Sequence, residues 1–222
     1  MPRIARAVAS GFPHHVVQRG NNREPVLFDE EDRVRYLSLL KKYSTKWNSP
    51  VLAYCLMTNH VHLLTKPQAD ESLYKTMQGV TLCYTQHINR KYNRTGRRWE
   101  SRYHSCIVDS ESYLWAVARY IEQNPVRAKM AVTPEGYPFS SARAHFGLVK
   151  SDLLSDDLFH ETQRNDYITF VRGEVEEDQI KDIRNSLKTG RPFTSNRCLK
   201  AIEEKLARRL AAQPIGRPRK KA

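Results

Sequence analysis

From Val51 to Met57 the chain is apolar without interruption, and after only Thr58 and Asn59 a second short run, His60 to Thr65, begins. A run this short and this apolar fits a buried strand. The two-residue gap fits a tight hairpin turn. Segments of helical period flank the hairpin. Before it, Asp29 is placed to cap a helix reaching about Trp47, with Leu37, Leu40, Tyr43 and Trp47 along one side. After it, Glu71 to Tyr92 repeats apolar residues at Leu73, Met77, Val80, Tyr84 and Ile88. A first strand is expected over Pro13–Gln18, ended by Arg19-Gly20-Asn21-Asn22, and a fourth over Tyr103–Val108. Ser110 is placed to cap a helix running to Gln123, because Pro125 disfavours helical geometry at the residue before it. The order is β-α-β-β-α-β-α, an α+β fold of the ferredoxin-like, split-βαβ type with an added helix.

Beyond Pro138 a short helix is expected over Ser140–Gly147, then helices including Glu174–Leu187 and Asn196–Ala212. The expected division is a core domain over 1–146, a helical extension over 147–213 and a basic tail over 214–222. The tail contains Gly216-Arg217-Pro218-Arg219-Lys220-Lys221 and cannot pack a core.

Charge is the first clue to function. The 37 Lys and Arg outnumber the 24 Asp and Glu, a net charge of +13. Such a surplus repels itself and attracts polyanions, of which nucleic acid is the obvious one. The surplus is uneven. Residues 86–104 hold six basic residues and one acid, residues 150–187 ten acids against five bases, and residues 188–222 eleven bases against two acids. No apolar run approaches the roughly 18 residues of a membrane span, and the first residues lack the apolar stretch of a signal peptide. The four cysteines form no CxxC pair, which argues against a zinc ribbon. An intracellular chain, cytoplasmic and associated with the nucleoid, is expected.

The strongest local motif is His60-Val61-His62. Strand side chains alternate, so the two imidazoles point one way and Val61 the other. Two imidazoles on one face suit a divalent metal; they are equally compatible with ordinary strand histidines. On the last core helix Tyr120 and Asn124 are one turn apart and share a face. Asn124 offers a carbonyl oxygen to a hard cation, and Tyr120 a phenol that becomes a nucleophile when its proton is removed. Without the histidines the pair reads as a half-buried tyrosine and a helix-ending asparagine. Tyr113, seven residues earlier, projects from nearly the same face but has no such partner. His14, His15 and His104 read as structural or exposed histidines.

Four segments together resemble a known family: 11–23 (GFPHHVVQRGNNR), 56–64 (LMTNHVHLL), 99–103 (WESRY) and 119–128 (RYIEQNPVRA). They resemble the single-tyrosine HUH transposases, and among these the bacterial REP-associated tyrosine transposases, over residues of about 11–146. The resemblance implies a ferredoxin-like endonuclease domain, a Mg²⁺ or Mn²⁺ ion and cleavage of single-stranded or hairpin DNA formed by repetitive extragenic palindromes. It implies His60 and His62 as metal ligands, Asn124 at the third ligand position and Tyr120 as the nucleophile that forms a 5′-phosphotyrosine. It leaves monomer and homodimer open, with a monomer favoured.

The DNA-binding residues expected from the sequence fall in three places. Arg97, Arg98 and Arg102 interleave with Trp99, combining phosphate contacts with a stacking surface. Arg19, Asn21, Asn22 and Arg23 follow the first strand, and Arg127 follows the tyrosine helix within reach of a phosphate. Arg217 and Arg219 belong to a basic arm that adds non-specific affinity. Two other readings stand beside the transposase: a catalytically silent nucleic-acid-binding regulator on the same fold, and a metal-dependent nuclease using water with Tyr120 structural.

Overall fold

A computed structural model describes residues 6–109 and 113–211 of the chain. Four strands, β1 (His14–Arg19), β2 (Val51–Leu56), β3 (His60–Thr65) and β4 (His104–Ile107), form one antiparallel sheet in the order β2-β3-β1-β4. That order, with α1 (Glu30–Lys46) joining β1 to β2 and α2 (Ser72–Lys91) joining β3 to β4, is the expected ferredoxin-like arrangement. The other helices are α3 (Leu114–Glu122), α4 (Asn124–Arg127), α5 (Ala142–His145), α6 (Arg164–Arg172), α7 (Glu177–Thr189) and α8 (Asn196–Lys205).

The register sorts the strand residues into two sets. Val16 pairs with Leu63, and Val17 with His62 and His104. Val16, Val61 and Leu63 therefore face α1 and α2, where they meet Tyr36, Leu40, Met77, Val80 and Tyr84 in one core. His15, Val17, His60, His62 and Leu64 face the other way. There α3 closes a second core with Leu52, Cys55 and Leu64, joined by Tyr167, Val171 and Ile183 from the extension. The region after residue 146 thus packs on the sheet domain through a shared apolar core.

Local chemistry sets the helix ends. Asp29 caps α1, its carboxylate accepting from the Asp32 amide at 2.9 Å. Lys91 at the end of α2 pairs with both Asp29 and Asp32, which ties the two helices together. Gly79 permits their close approach, since a Cβ there would lie 2.4 Å from the Tyr43 ring. The buried side of α1 is Tyr36, Leu39 and Leu40, with Leu37 and Tyr43 partly covered, so the stripe is rotated from the one expected.

Two helix ends differ from expectation. The tyrosine helix does not end at Pro125. After a break at Gln123 the chain re-enters helical geometry, and Pro125 sits in the first turn of α4, where its missing N–H is not needed. The last helix stops at Lys205, well short of residue 212. Ala207 takes a left-handed turn (φ 46°), and Glu203 accepts the Leu210 and Ala211 amides at 2.5 and 2.8 Å. Ser110 and the basic tail, with Arg217 and Arg219, lie outside the described residues.

Candidate active site

The hairpin of β2 and β3 delivers His60 and His62 to the α3 side of the sheet, and β1 delivers His15 beside them. The rings of His60 and His62 lie 4.9 Å apart between centroids. Helix α3 buries Leu114, Val117, Ala118 and Ile121 against this face. That packing points Tyr120 at the histidines: its ring stands edge-on to both His62 and His15, each at 5.7 Å. The two halves predicted from separate motifs therefore meet on one side of the sheet.

The imidazoles are held in a defined way. His60 Nδ1 donates to Asn59 Oδ1 at 2.7 Å, which leaves its Nε2 as an unprotonated nitrogen. His62 Nδ1 shares a 3.0 Å hydrogen bond with His15 Nε2 in a fully buried contact. Burial pushes His60 down to about 4, helped by the Arg19 guanidinium, and His15 down to about 3. His62 is held well below the usual histidine range by burial and by its cationic neighbours. All three are neutral near pH 7, the state a metal ligand requires.

Donors without partners surround this cluster. Asn124 Nδ2 and Arg127 Nε and Nη1 are buried and have no hydrogen-bond partner among the described residues. Arg127 Nη2 donates to the Tyr120 carbonyl, and the guanidinium lies 4.3 Å over the Tyr120 ring. Buried orphan donors are costly, and an anionic oxygen would satisfy them.

Among the described residues no set of three His, Cys, Asp or Glu side chains is placed to hold a metal. The donors present are two neutral imidazoles and one amide. Such a set fits a divalent ion that completes its shell with substrate oxygens and water.

The loops expected to bind DNA are brought together beside His60. Arg19 is exposed and lies opposite His60 in the register. The Asn21 amide donates to the Arg98 carbonyl, and the Glu100 amide to the Arg19 carbonyl, both at 2.9 Å, so the 97–102 loop runs along the 19–23 loop. Gly20 makes this junction possible, because a Cβ there would lie 2.3 Å from the Glu24 carbonyl oxygen. Asn59 Nδ2 donates to the Arg23 carbonyl at 2.9 Å and fastens the same loop to the hairpin. Asn22, Arg23, Arg97 and Arg102 are exposed, and Asn21 and Arg98 half-buried.

Trp99 departs from expectation. It offers no stacking surface: it is 5 % exposed and packs in the core beside Tyr36 and Tyr84. The bridge between Gly20 and Trp99 turns its ring inward. Tyr113 packs on Phe193 at 4.6 Å, away from the cluster. His14 is structural, bonded to the Phe12 carbonyl and the Ala9 amide. His15 is the residue that sequence reasoning passed over; its place beside His62 depends on the β1–β3 register.

A second buried polar centre holds the tyrosine helix. The Glu122 carboxylate has no exposure and accepts from Ser141 Oγ at 2.5 Å and Tyr167 Oη at 2.9 Å, with His145 Nδ1 at 2.5 Å. Arg119 bonds Gln179 at 2.7 Å, and Gln123 bonds the carbonyls of Val171 and Gly173 at 2.6 and 3.0 Å. Helices α6 and α7 thus grip α3 on either side of Tyr120.

No curated protein matches the chain. Among solved structures it is similar to a REP-associated tyrosine transposase bound to a REP hairpin, at 17 % identity, with 79 % of this chain and 99 % of that one covered and a TM-score of 0.57. That likeness establishes the shared fold. A crystal structure of a putative transposase from Deinococcus radiodurans is 20 % identical over 55 % of this chain and 97 % of that one, with a TM-score of 0.38. No argument rests on this second likeness. Residues 9–124 match the model of the IS200-like transposases, a span that holds the histidine pair, the tyrosine helix and Asn124. With more than half its length matched and the histidines and tyrosine meeting on one face, the chain belongs to the IS200-like transposase family.

Proposed function

We propose that this protein is a metal-dependent enzyme of the REP-associated kind that nicks single-stranded DNA beside hairpin-forming repeats and transfers the strand through Tyr120. The observation that carries the reading is the edge-on approach of Tyr120 to His62 and His15, at 5.7 Å each, on the face that also bears His60. In the reaction the Tyr120 oxygen attacks the scissile phosphorus, the bond from phosphorus to the 3′ oxygen breaks, and a 5′-phosphotyrosine forms. The phenolic proton passes through solvent to the departing 3′ oxygen, which leaves as a hydroxyl. A later 3′-hydroxyl reverses these steps and rejoins the strand.

His60 Nε2, His62 Nε2 and the Asn124 carbonyl are the groups that would hold Mg²⁺ or Mn²⁺. A bound ion supplies Lewis-acid polarisation of a phosphate oxygen. Arg127 and the Asn124 amide group, with their unpartnered donors, orient the same phosphate. Arg19, Arg23, Arg97, Arg98 and Arg102 hold the flanking backbone, with Asn21 and Asn22 on base edges. The hairpin of the similar transposase complex supports the choice of a hairpin substrate. Because one chain supplies both the histidines and a tyrosine helix clamped by its own extension, a monomer carries a complete site.

The test uses a hairpin oligonucleotide labelled on the part 3′ of the nick, with Mn²⁺. The label is expected to migrate with the protein, and Tyr120→Phe to abolish that adduct while binding persists. Cleavage without an adduct would favour the water-using nuclease. Binding with neither cleavage nor adduct would favour the silent regulator.

A further inference from the structure

A second collection of cations lies at the free edge of the sheet, outside the tyrosine site. Strand β4 is an edge strand, and a cleft of about 780 Å³ separates it from the last helices. Arg102 enters from the loop before β4, Lys188 and Arg191 from the end of α7, and Arg209 from beyond α8. All four are exposed, and among the described residues no carboxylate forms an ion pair with Arg102, Lys188 or Arg191. Three distant stretches of chain thus bring like charges together without counter-charges, an arrangement that repels itself until an anion fills it.

The far wall is built onto the sheet. Gly190 turns through a left-handed conformation (φ 70°) beside the Ser105 carbonyl. The Phe193 amide then donates to the Ile107 carbonyl at 2.8 Å, and the Asp109 amide to the Phe193 carbonyl at 3.0 Å. Asp109 also accepts from Ser195 Oγ at 2.9 Å. The cleft is therefore a fixed feature of the fold.

Its position relates it to the tyrosine site. His104, which lines it, points to the same face as His62, with Val17 between them in the register, a distance of two strand spacings or about 10 Å. On α7, Arg184 precedes Lys188 by one turn, about 6 Å of rise. Arg184 is exposed, and its charge bears on Arg127, the guanidinium over Tyr120. Arg127, Arg184, Lys188 and Arg191 follow one another as a basic track from the tyrosine to the cleft.

We infer that this cleft binds the phosphate backbone of the single-stranded DNA segment contiguous with the strand at Tyr120, which makes the helical extension part of the substrate-binding surface. The inference rests on the nicking reading above for the strand's starting point. Affinity comes from phosphate neutralisation, so the cleft reads length of strand and carries no base preference of its own.

The full chain is titrated by fluorescence anisotropy with single strands that extend by successive nucleotides past the nick position, across a salt series. For the natural chain, affinity is expected to rise about tenfold once the strand reaches the cleft. The double substitution Lys188→Glu with Arg191→Glu should cancel that rise and flatten the log K against log salt slope by about 1.4, or roughly 0.7 per lost contact on a single strand. The charge-keeping pair Lys188→Arg with Arg191→Lys should retain it, which separates lost charge from damaged fold. No length-dependent rise in the natural chain, or a full rise in the glutamate pair, overturns the inference. Adduct formation is read on the same samples. An adduct without the length effect overturns the cleft alone; a length effect without an adduct overturns the tyrosine reading and leaves the cleft as a DNA site.

Discussion

On one face of the sheet Val16, Val61 and Leu63 meet α1 and α2 in a core of aliphatic and aromatic side chains. On the other, the same strands present His15, His60 and His62, and the helix above them is secured by hydrogen bonds to Glu122, Arg119 and Gln123. The first face is held by area removed from water, a non-directional force that tolerates small shifts. The second is held by directional bonds, which place a tyrosine ring against two imidazoles and leave orphan donors where a phosphate would lie. Stability is concentrated on one side of three strands and chemistry on the other.

The largest expected effect bears on the polar side. Glu122→Ala leaves Ser141, His145 and Tyr167 without their shared acceptor in a buried space, and should lower unfolding free energy by about 3–5 kcal/mol. Urea denaturation measures it. A loss below 1 kcal/mol would mean that the polar face is held by its apolar contacts after all. Next comes Leu63→Ala on the α1/α2 side, which leaves a cavity at a fully buried site and should cost about 2–4 kcal/mol. If that variant disturbed Mn²⁺ affinity more than it disturbed stability, the division between the two faces would fail.

Acid provides a smaller test, because each face has one buried histidine. His14 is pushed down to about 4 and His15 to about 3 by burial. The unfolded chain takes up these protons near 6.5 while the folded chain refuses them, so stability is full above pH 6.5 and falls as pH drops toward 4. Each histidine should account for about 2 kcal/mol of the loss at pH 5. His14→Gln and His15→Gln should each remove part of the slope of the urea midpoint against pH; an unchanged slope in both would refute the assignment. The smallest effect is Arg97→Ala, an exposed loop residue. It should leave stability within about 0.5 kcal/mol and reduce the salt slope of single-strand binding by about 0.7.

The order of strands and helices was legible because it rests on local period. Val51 to Met57 and His60 to Thr65 could hardly be anything but a hairpin, and Leu73, Met77, Val80, Tyr84 and Ile88 all lie buried along α2 as their spacing predicts. The shared direction of His60 and His62 follows from strand alternation alone. Trp99 was misread because its sequence surroundings, Arg97 to Arg102, are those of an exposed loop. A single bridge to Gly20 turns the indole into the core. Pro125 was read as a stop because the rule for the preceding residue is statistical; one broken position at Gln123 lets a new helix begin on the other side of it.

By itself, then, the amino-acid sequence determined the fold class, the pairing of the two histidines, the turn-spaced Tyr120 and Asn124, and the basic character that calls for a polyanion. These depend on side-chain period and composition, which act within a few residues of chain. Only the tertiary structure decided that His15 stands against His62, that Arg127 covers Tyr120, that Glu122 ties the tyrosine helix to residues 141–167, and that Arg102 meets Lys188 and Arg191 across one cleft. Each of these joins residues far apart in the chain, and their meeting is set by strand register and by which faces the apolar side chains require to be buried.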